Sequence, residues 1–426
     1  MSDILSFFSN TFAALSQMHI GLYIGYTLQV LFLLLGVYYF IVSIFSFFPR
    51  RYEAAKSNKN HSFALIVPAH NEQAVIANIV KSLKSMDYPK DRYEIFVVAD
   101  NCTDNTAQIA RDAGATVYER TNATERGKGY TLEWMFNKIF EMDKHFDYFS
   151  IFDADNVVDK NFLKAMNFQA NRGHKAIQGY IDSKNPNDSW ISYSYSLSFW
   201  TVNKLFQQSR ANLRLGCQLC GTGFSVQTNL IKEMGWRSTC LTEDMEFTMR
   251  LSQNNINVAW ANDAVIYDEK PITFSQSWKQ RKRWMQGHAD VASRFVVPLT
   301  KKAFKERKLA PLDCVLYLLQ PLRIISMGVI TIMAWIQTAY PESRLIIWGL
   351  IPTAVWNTVV ILQFMWAPVV LISQKRFTFR TIWGYPFYML YTLSWVPIAV
   401  IGIIHKNKTE WFHTQHTRTI SIDEVS

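Results

Sequence analysis

No side chain between residues 20 and 48 carries a charge. A helix through that run, rising about 1.5 Å per residue, is longer than the roughly 30 Å hydrocarbon core of a bilayer. A chain with such a run has to bury it in lipid, and the reading taken here is a spanning helix. A secretory signal is the competing reading, but the run is too long for its apolar region and no small-residue cleavage site follows. Three further apolar stretches, 312–339, 345–373 and 382–404, lie near the other end. The expected organisation is an N-terminal segment with its helix over 1–50 and an α/β domain over 51–273. An amphipathic interfacial region over 274–310, about three membrane helices over 311–405 and a polar tail over 406–426 complete it.

Arg50, Arg51, Lys56 and Lys59 follow the first helix, so the positive-inside rule expects a multi-pass cell-membrane protein with a cytosolic central domain. Three C-terminal spans would then put the tail outside, while the positive charge of that tail argues for the cytosol. Either one stretch lies in the interface or the 345–373 stretch is a bent hairpin. The net charge of +10 suits anionic headgroups and a phosphorylated substrate. No basic, aromatic-interleaved module points to nucleic acid as a partner. Cys102, Cys217, Cys220, Cys240 and Cys314 are odd in number and fall in the cytosolic part or at a membrane entry, which disfavours structural disulfides. Cys217 and Cys220 have a CxxC spacing without a second pair, so they read as buried thiols. Arg323, inside the first C-terminal stretch, faces either a bundle interior or snorkels from a helix end.

Between residues 62 and 268, short β-rich runs alternate with stretches of helical period, the pattern of an α/β domain with a largely parallel sheet. Runs 63–67, 94–99 and 148–152 read as buried strands, and each ends in a polar turn: Pro68 to Glu72, Asp100 to Asp104, and Asp153-Ala154-Asp155. In open α/β sheets ligands bind at the carboxyl ends of strands, so these turns are expected to face one crevice. From 275 to 308, Trp278, Trp284, Met285, Val291, Ala292, Phe295 and Val296 recur at helical spacing among Lys and Arg. Such a stretch lies in the bilayer interface or, alternatively, covers the domain's own core.

Two carboxylates one residue apart after a strand can present oxygens to a hard cation such as Mg²⁺ or Mn²⁺. Asp153 and Asp155 fit that use. Asp100 is suited to a nucleotide's base or ribose, while Asp104 reads equally as a helix cap. Lys128, in Arg126-Gly127-Lys128-Gly129, can approach a diphosphate, although the loop does not match a Walker A sequence. Thr242-Glu243-Asp244 reads as a helix start with Thr242 as N-cap, or as the carrier of a general base at Asp244. In Gln280-Arg281-Lys282-Arg283-Trp284, Arg283 can neutralise a pyrophosphate, Gln280 can hydrogen-bond it and Trp284 offers a face for a sugar ring. Arg281 and Lys282 read as interface charges.

The order PAHNE, Asp100, DAD, TED, QRKRW resembles the membrane-embedded family 2 glycosyltransferases with a GT-A fold, the group of cellulose, hyaluronan, chitin and poly-N-acetylglucosamine synthases. The resemblance covers about residues 62–290. It implies a UDP-sugar donor bound by Glu72, Asp100, Lys128, Asp153, Gln280, Arg283 and Trp284, with Asp155 and Asp153 engaging Mg²⁺ or Mn²⁺. It implies catalysis at Asp244 within Thr242-Glu243-Asp244, with inversion at the anomeric carbon. The Cys220-Gly221-Thr222-Gly223 segment departs from the Cys-Gly-Ser of cellulose synthases.

The implied function is processive β-glycosyl transfer, best matched by UDP-glucose and a β-glucan, with a growing polysaccharide as acceptor and translocation across the lipid bilayer. The alternatives are transfer of a single sugar to a lipid or lipid-linked acceptor, and polymerisation of N-acetylglucosamine. A channel or transporter with a nucleotide-sensing domain is the alternative of another class, and it would need neither Asp244 nor Arg283 for chemistry.

Overall fold

The computed structural model describes residues 20–49, 52–237, 240–339, 353–407 and 419–425. Arg50, Arg51, the first part of the 345–373 stretch and most of the tail lie outside the described residues. Eight strands form one sheet in the order β3-β2-β1-β4-β7-β6-β8-β5. They are β1 Phe63–Ala69, β2 Tyr93–Asp100, β3 Thr116–Arg120, β4 Tyr148–Ile151, β5 Val157–Val158, β6 Ala176–Ser183, β7 Phe224–Gln227 and β8 Ala259–Asp268. The continuous apolar runs expected to be strands are strands, because helices cover both faces of the sheet. Ala64, Ile66, Phe96, Val98, Phe149 and Ile151 pack on one side. Phe63, Leu65, Val67, Ile95, Val97 and Tyr148 pack on the other.

Topology gathers the polar turns on one edge. β1, β2 and β4 run parallel, so the loops after all three leave the same edge. β7 is antiparallel to β4 and to β6, and β6 is parallel to β8. The loop before β7 and the loops after β6 and β8 therefore share that edge too.

The helices that build the site and the apolar part are α1 Ile20–Ile44, α2 Lys128–Phe140, α3 Trp190–Thr201, α4 Glu243–Gln253 and α5 Phe274–Glu306. They continue with α6 Leu309–Leu318, α7 Gln320–Ala339, α8 Thr353–Ser373, α9 Phe379–Leu393 and α10 Trp395–Ile404. Two helical stretches among the described residues, Tyr26–Phe47 and Phe379–Ile404, are long and apolar enough to cross a membrane. The first expected C-terminal span is broken: α6 and the start of α7 meet at a 52° bend and pass the same test only as a pair. Pro321, at the second position of α7, has no N–H to continue the helical ladder across that bend.

Buried charges fasten the apolar helices to the α/β domain. Arg210 donates from Nε and Nη2 to the two oxygens of Asp313 at 2.7 and 2.8 Å, and both side chains are 1% exposed. Tyr38 of α1 adds a 2.6 Å bond to the same carboxylate. Beyond α8, Arg376 bonds both oxygens of Asp182 at the end of β6, at 3.2 and 2.5 Å. Thr381 accepts from the Tyr193 hydroxyl at 3.0 Å. The His405 carbonyl, just past α10, accepts from Gln286 of α5 at 3.0 Å.

Arg281 corrects the sequence reading. It is fully buried, donating to Ser394 Oγ at 2.7 Å and to the Tyr391 carbonyl at 3.3 Å. Its guanidinium also lies 4.3 Å from the centre of the Tyr391 ring. The reason is helical phase: Ser277, Arg281 and Met285 are one turn apart on the face of α5 that packs inward.

Removing one partner of a buried ion pair leaves the other charge unsolvated, at a typical cost of about 3–5 kcal/mol. Asp313→Ala is expected to lower unfolding stability in detergent by that order. Replacing the pair together, Arg210→Met with Asp313→Leu, is expected to recover most of the loss in the same thermal or denaturant titration.

Candidate active site

At the end of β2, Asp100 is buried and held by Arg120, whose Nη1 donates to Asp100 Oδ1 at 2.7 Å. The same nitrogen donates to the Glu125 carbonyl at 2.9 Å. Arg120 thus folds the 121–127 loop back over the strand end and delivers the chain to Lys128. The sequence reading missed Arg120, because its only local signal was a cation ending a short strand. Asp104 takes the structural role: it accepts from Thr106 N at 3.0 Å and from Gln73 N at 3.2 Å, tying this turn to the one after β1. Glu72 is also buried there, its N–H donated to Thr106 Oγ1 at 2.8 Å.

Lys128 opens α2 and donates to Asp153 Oδ1 and, at 2.7 Å, to the Gly221 carbonyl. Gly221 has φ +80°, and a Cβ there would stand 3.6 Å from Asp244 Oδ2, so the loop lies against the carboxylate of α4. Thr222 braces the DAD turn. Its hydroxyl donates to Asn156 Oδ1 and accepts from Asp153 N at 3.0 Å. Two buried lysines complete the rear of the turn: Lys184 donates to the Asp155 carbonyl at 2.6 Å, and Lys270 donates to Asp268 at 2.7 Å. Asp268 in turn accepts from Asn156 at 3.0 Å.

Electrostatics bind these pieces into one unit. Burial raises the pKa of Asp244, and the neighbouring Glu243 raises it further, to about 7. Burial likewise pushes Glu243 up, opposed by the positive charges of Lys128 and Arg283. For Lys128, burial works against the ammonium, but Asp153, Glu243 and Asp244 outweigh it and hold the group charged. Lys128 is therefore the hub where DAD, TED and the Gly221 loop meet.

Thr242 occupies the N-cap position of α4, yet its side chain makes no capping bond. It is turned instead toward α5, where a Cβ on Gly287 would fall 2.5 Å from Thr242 Oγ1. Only glycine permits that approach, which sets TED against the helix carrying Gln280, Arg283 and Trp284. Farther along, Arg294 forks onto Glu246 at 2.9 and 3.2 Å and locks the two helices together. Elsewhere on α5, Gln280 Oε1 and Arg283 Nε are buried without hydrogen-bond partners. An acceptor and a charged donor left unmade inside a site fit a ligand that brings hydroxyls and phosphate. Trp284 is half-buried, its ring edge-on to Tyr195 at 6.1 Å.

Of the sequence-predicted residues, Asp153, Lys128, Glu243, Asp244 and Arg283 form this coupled group, and Thr242 joins it through Gly287. Asp100 and Glu72 stand at the neighbouring strand ends. Among the described residues no group of three or more His, Cys, Asp or Glu is arranged to hold a metal ion. The two carboxylates of the DAD turn nevertheless fit Mg²⁺ or Mn²⁺, since such a cation takes one or two carboxylates and fills its shell with phosphate oxygens and water.

The sequence profile described as "Glycosyltransferase like family 2" matches residues 60–287. The chain is 30% identical over 241 residues to a beta-monoglucosyldiacylglycerol synthase of Synechocystis sp., covering 52% of this chain and 47% of that protein. It is 23% identical over 279 residues to a poly-beta-1,6-N-acetyl-D-glucosamine synthase of Staphylococcus epidermidis, covering 63% and 66%. The chain spans about half the length of curated relatives it matches. Among solved structures, the mannosyltransferase PcManGT from Pyrobaculum calidifontis, in complex with GDP-Man and Mn²⁺, superposes with a TM-score of 0.57. That likeness, at 16% identity, covers 90% of this chain and 98% of the other and concerns the fold. The chain belongs to glycosyltransferase family 2, and its α/β domain has the GT-A fold.

Proposed function

We propose that the protein is an inverting, divalent-metal-dependent β-glycosyltransferase that takes a hexose from a UDP-sugar at the cytosolic face of a membrane. The observation that carries this reading is the Asp244 carboxylate, raised to about 7 and set beside the loop that Lys128 ties to the DAD turn. A base whose pKa matches the working pH combines availability with proton affinity. In this reading Asp100 and Glu72 line the nucleoside end, and Asp155 and Asp153 hold the cation with the donor diphosphate. The bound cation would supply charge neutralisation to the leaving UDP. Gln280 and Arg283 satisfy their open hydrogen bonds on the donor, Arg283 and Lys128 offset diphosphate charge, and Trp284 carries the acceptor ring. Ionised Asp244 removes the proton from the acceptor hydroxyl. The hydroxyl oxygen bonds to the anomeric carbon as the carbon–oxygen bond to UDP breaks, inverting the centre.

The membrane reading rests on packing. The α9–α10 stretch meets α/β-domain groups near its start, through Thr381 and the preceding Arg376, and meets α5 at its end, through His405. Its other face exposes Phe379, Ile382, Trp383, Phe387, Leu390 and Leu393. A helix held along its whole length by the domain and apolar on the free side lies flat in the interface. In this reading α1, α6–α7 and α8 cross, and the tail stays on the catalytic side, in keeping with its positive charge. By length and composition alone the same stretch could cross, which is the third C-terminal span expected from the sequence.

Extension of a polysaccharide, with UDP-glucose as best match, is the acceptor reading carried by the ordered motifs. The small number of crossings favours a second reading, transfer of one sugar to a lipid. In this reading three crossing helices, packed about 8–10 Å apart, would fill their own centre with side chains rather than surround a sugar chain.

Donor-dependent UDP release by the purified protein with Mg²⁺ or Mn²⁺ is the primary test. Asp244→Asn is expected to lose about 10²–10⁴-fold in turnover, and Arg283→Ala a similar share, with unfolding curves unchanged. Absence of UDP release with every donor would sink the enzyme reading. Sizing of the product separates a polymer ladder from a single added sugar.

Because the Asp244 pKa is raised rather than lowered, the base form is lost as pH falls through about 7. The acidic limb of kcat/KM is expected there, well above the ordinary aspartate range near 3.9. Glu243→Gln removes a neighbouring negative charge and is expected to move that limb to lower pH. An unmoved limb would assign it to another group.

For topology, Asn407→Cys is placed in a background with the five native cysteines replaced by serine. A membrane-impermeant maleimide is expected to label it from the same side as Asn137→Cys on the α/β domain. Labelling from opposite sides would restore the third crossing.

A further inference from the structure

The bend between α6 and α7 is built rather than accidental. Tyr39 of α1 donates its hydroxyl to the Leu316 carbonyl at 3.1 Å. His288 Nε2 lies 3.2 Å from the carbonyls of both Tyr317 and Leu318. Carbonyls released by the break in the helix are thus satisfied from α1 and α5. Arg323 stands one turn beyond, its guanidinium 4.4 Å from the centre of the Tyr39 ring.

Arg323 has an unusual charge environment. Asp313, which lies in this corner beside Tyr38, is already taken on both oxygens by Arg210 and also by Tyr38. Among the described residues no carboxylate forms an ion pair with Arg323, and its Nε is buried without a hydrogen-bond partner. Around it Leu322, Met327 and Val329 expose apolar side chains. An arginine in an apolar stretch is costly unless it finds an anion or a dipole to pair with.

Depth identifies the anion. Tyr39 lies five residues before the end of α1 at Ile44, or about 7.5 Å along the helix axis at 1.5 Å per residue. In the membrane reading above, on which this inference rests, that is the boundary between acyl chains and headgroups on the catalytic side. The anions at that level are lipid phosphates, and a planar guanidinium matches their oxygens in paired hydrogen bonds.

We infer that Arg323, backed by Tyr39 at the α6–α7 bend, is a binding site for the phosphate of a lipid in the catalytic-side leaflet. The site is joined to the reaction centre through protein contacts. The Tyr317 ring packs 5.2 Å from His288, and His288 follows Gly287, the residue against which Thr242 rests. The phosphate belongs either to a bulk anionic phospholipid that seats the bend or to a phosphate-bearing lipid that also offers its hydroxyl as acceptor.

The test uses the full chain purified in a maltoside detergent, which contains no phosphate, with phosphatidylglycerol and diacylglycerol as probes. Native mass spectrometry is expected to show phosphatidylglycerol retained by the wild type and by Lys282→Gln, and diacylglycerol lost. Arg323→Gln is expected to weaken phosphatidylglycerol retention about tenfold or more, the loss of one charged hydrogen-bonding partner, with Arg323→Lys intermediate. Equal retention by wild type and Arg323→Gln overturns the site, whether or not UDP release persists. Selective loss of retention in Arg323→Gln upholds it, even if no donor yields UDP and the transferase reading fails. Supplying labelled donor with phosphatidylglycerol as the sole lipid separates the sources: label in the lipid phase marks an acceptor, and label absent from the lipid phase marks a seating lipid.

Discussion

Helix α5 has to satisfy two neighbours at once, and the rest of the structure is arranged around that demand. One face carries Gln280, Arg283 and Gly287 toward the carboxylates at the sheet edge. The other buries Arg281 and Met285 against α9 and α10. The two faces are stitched by different means. Toward the site the contact is steric, since a missing Cβ at Gly287 admits Thr242. Toward the apolar helices it is a buried guanidinium capped by Ser394 and a ring of aromatics. A shift of α5 along its axis would disturb both, so the distance between TED and QRKRW is set by the same packing that seats the apolar helices.

Within the site, the balance of charge is held by few groups. Asp153, Glu243 and Asp244 crowd around Lys128, and burial raises the Glu243 and Asp244 carboxyls while the one ammonium opposes it. Arg283 supplies a second positive charge to Glu243. Gln280 Oε1 and Arg283 Nε stay buried without partners, and in the proposed reading the donor's diphosphate and hydroxyls meet them. The lysines behind the DAD turn, Lys184 and Lys270, stiffen the backbone that carries Asp153 and Asp155.

The junction with the apolar helices follows the same logic. Arg210 and Asp313 neutralise each other where no water reaches them, and Tyr38 brings α1 into the pair. Arg376 on Asp182 pins the return from α8 to the end of β6. These contacts keep the end of α8 and the start of α9 beside the α/β domain, which is how a long apolar segment comes to lie along the domain instead of pointing away from it.

Much of the catalytic domain was legible in sequence. Strands buried on both faces read as unbroken apolar runs, and acids at their ends read as a site because open parallel sheets collect ligands there. DAD was recognisable for that reason, TED and QRKRW through the order in which they follow it, and the structure brings DAD, TED and Arg283 into one charged group. Arg120, Lys270, Gly287 and the inward turn of Arg281 were not legible. Each depends on a partner far along the chain or on helical phase, and composition is silent about both. What the sequence by itself determined was local and periodic: which runs are strands, which are apolar helices, and which carboxylates follow strands. Only the tertiary structure decided how those pieces meet, including which side of the last apolar segment packs on the α/β domain and α5. Hydropathy measures how much apolar surface a helix carries, whereas its orientation is set by the polar contacts that hold its two ends.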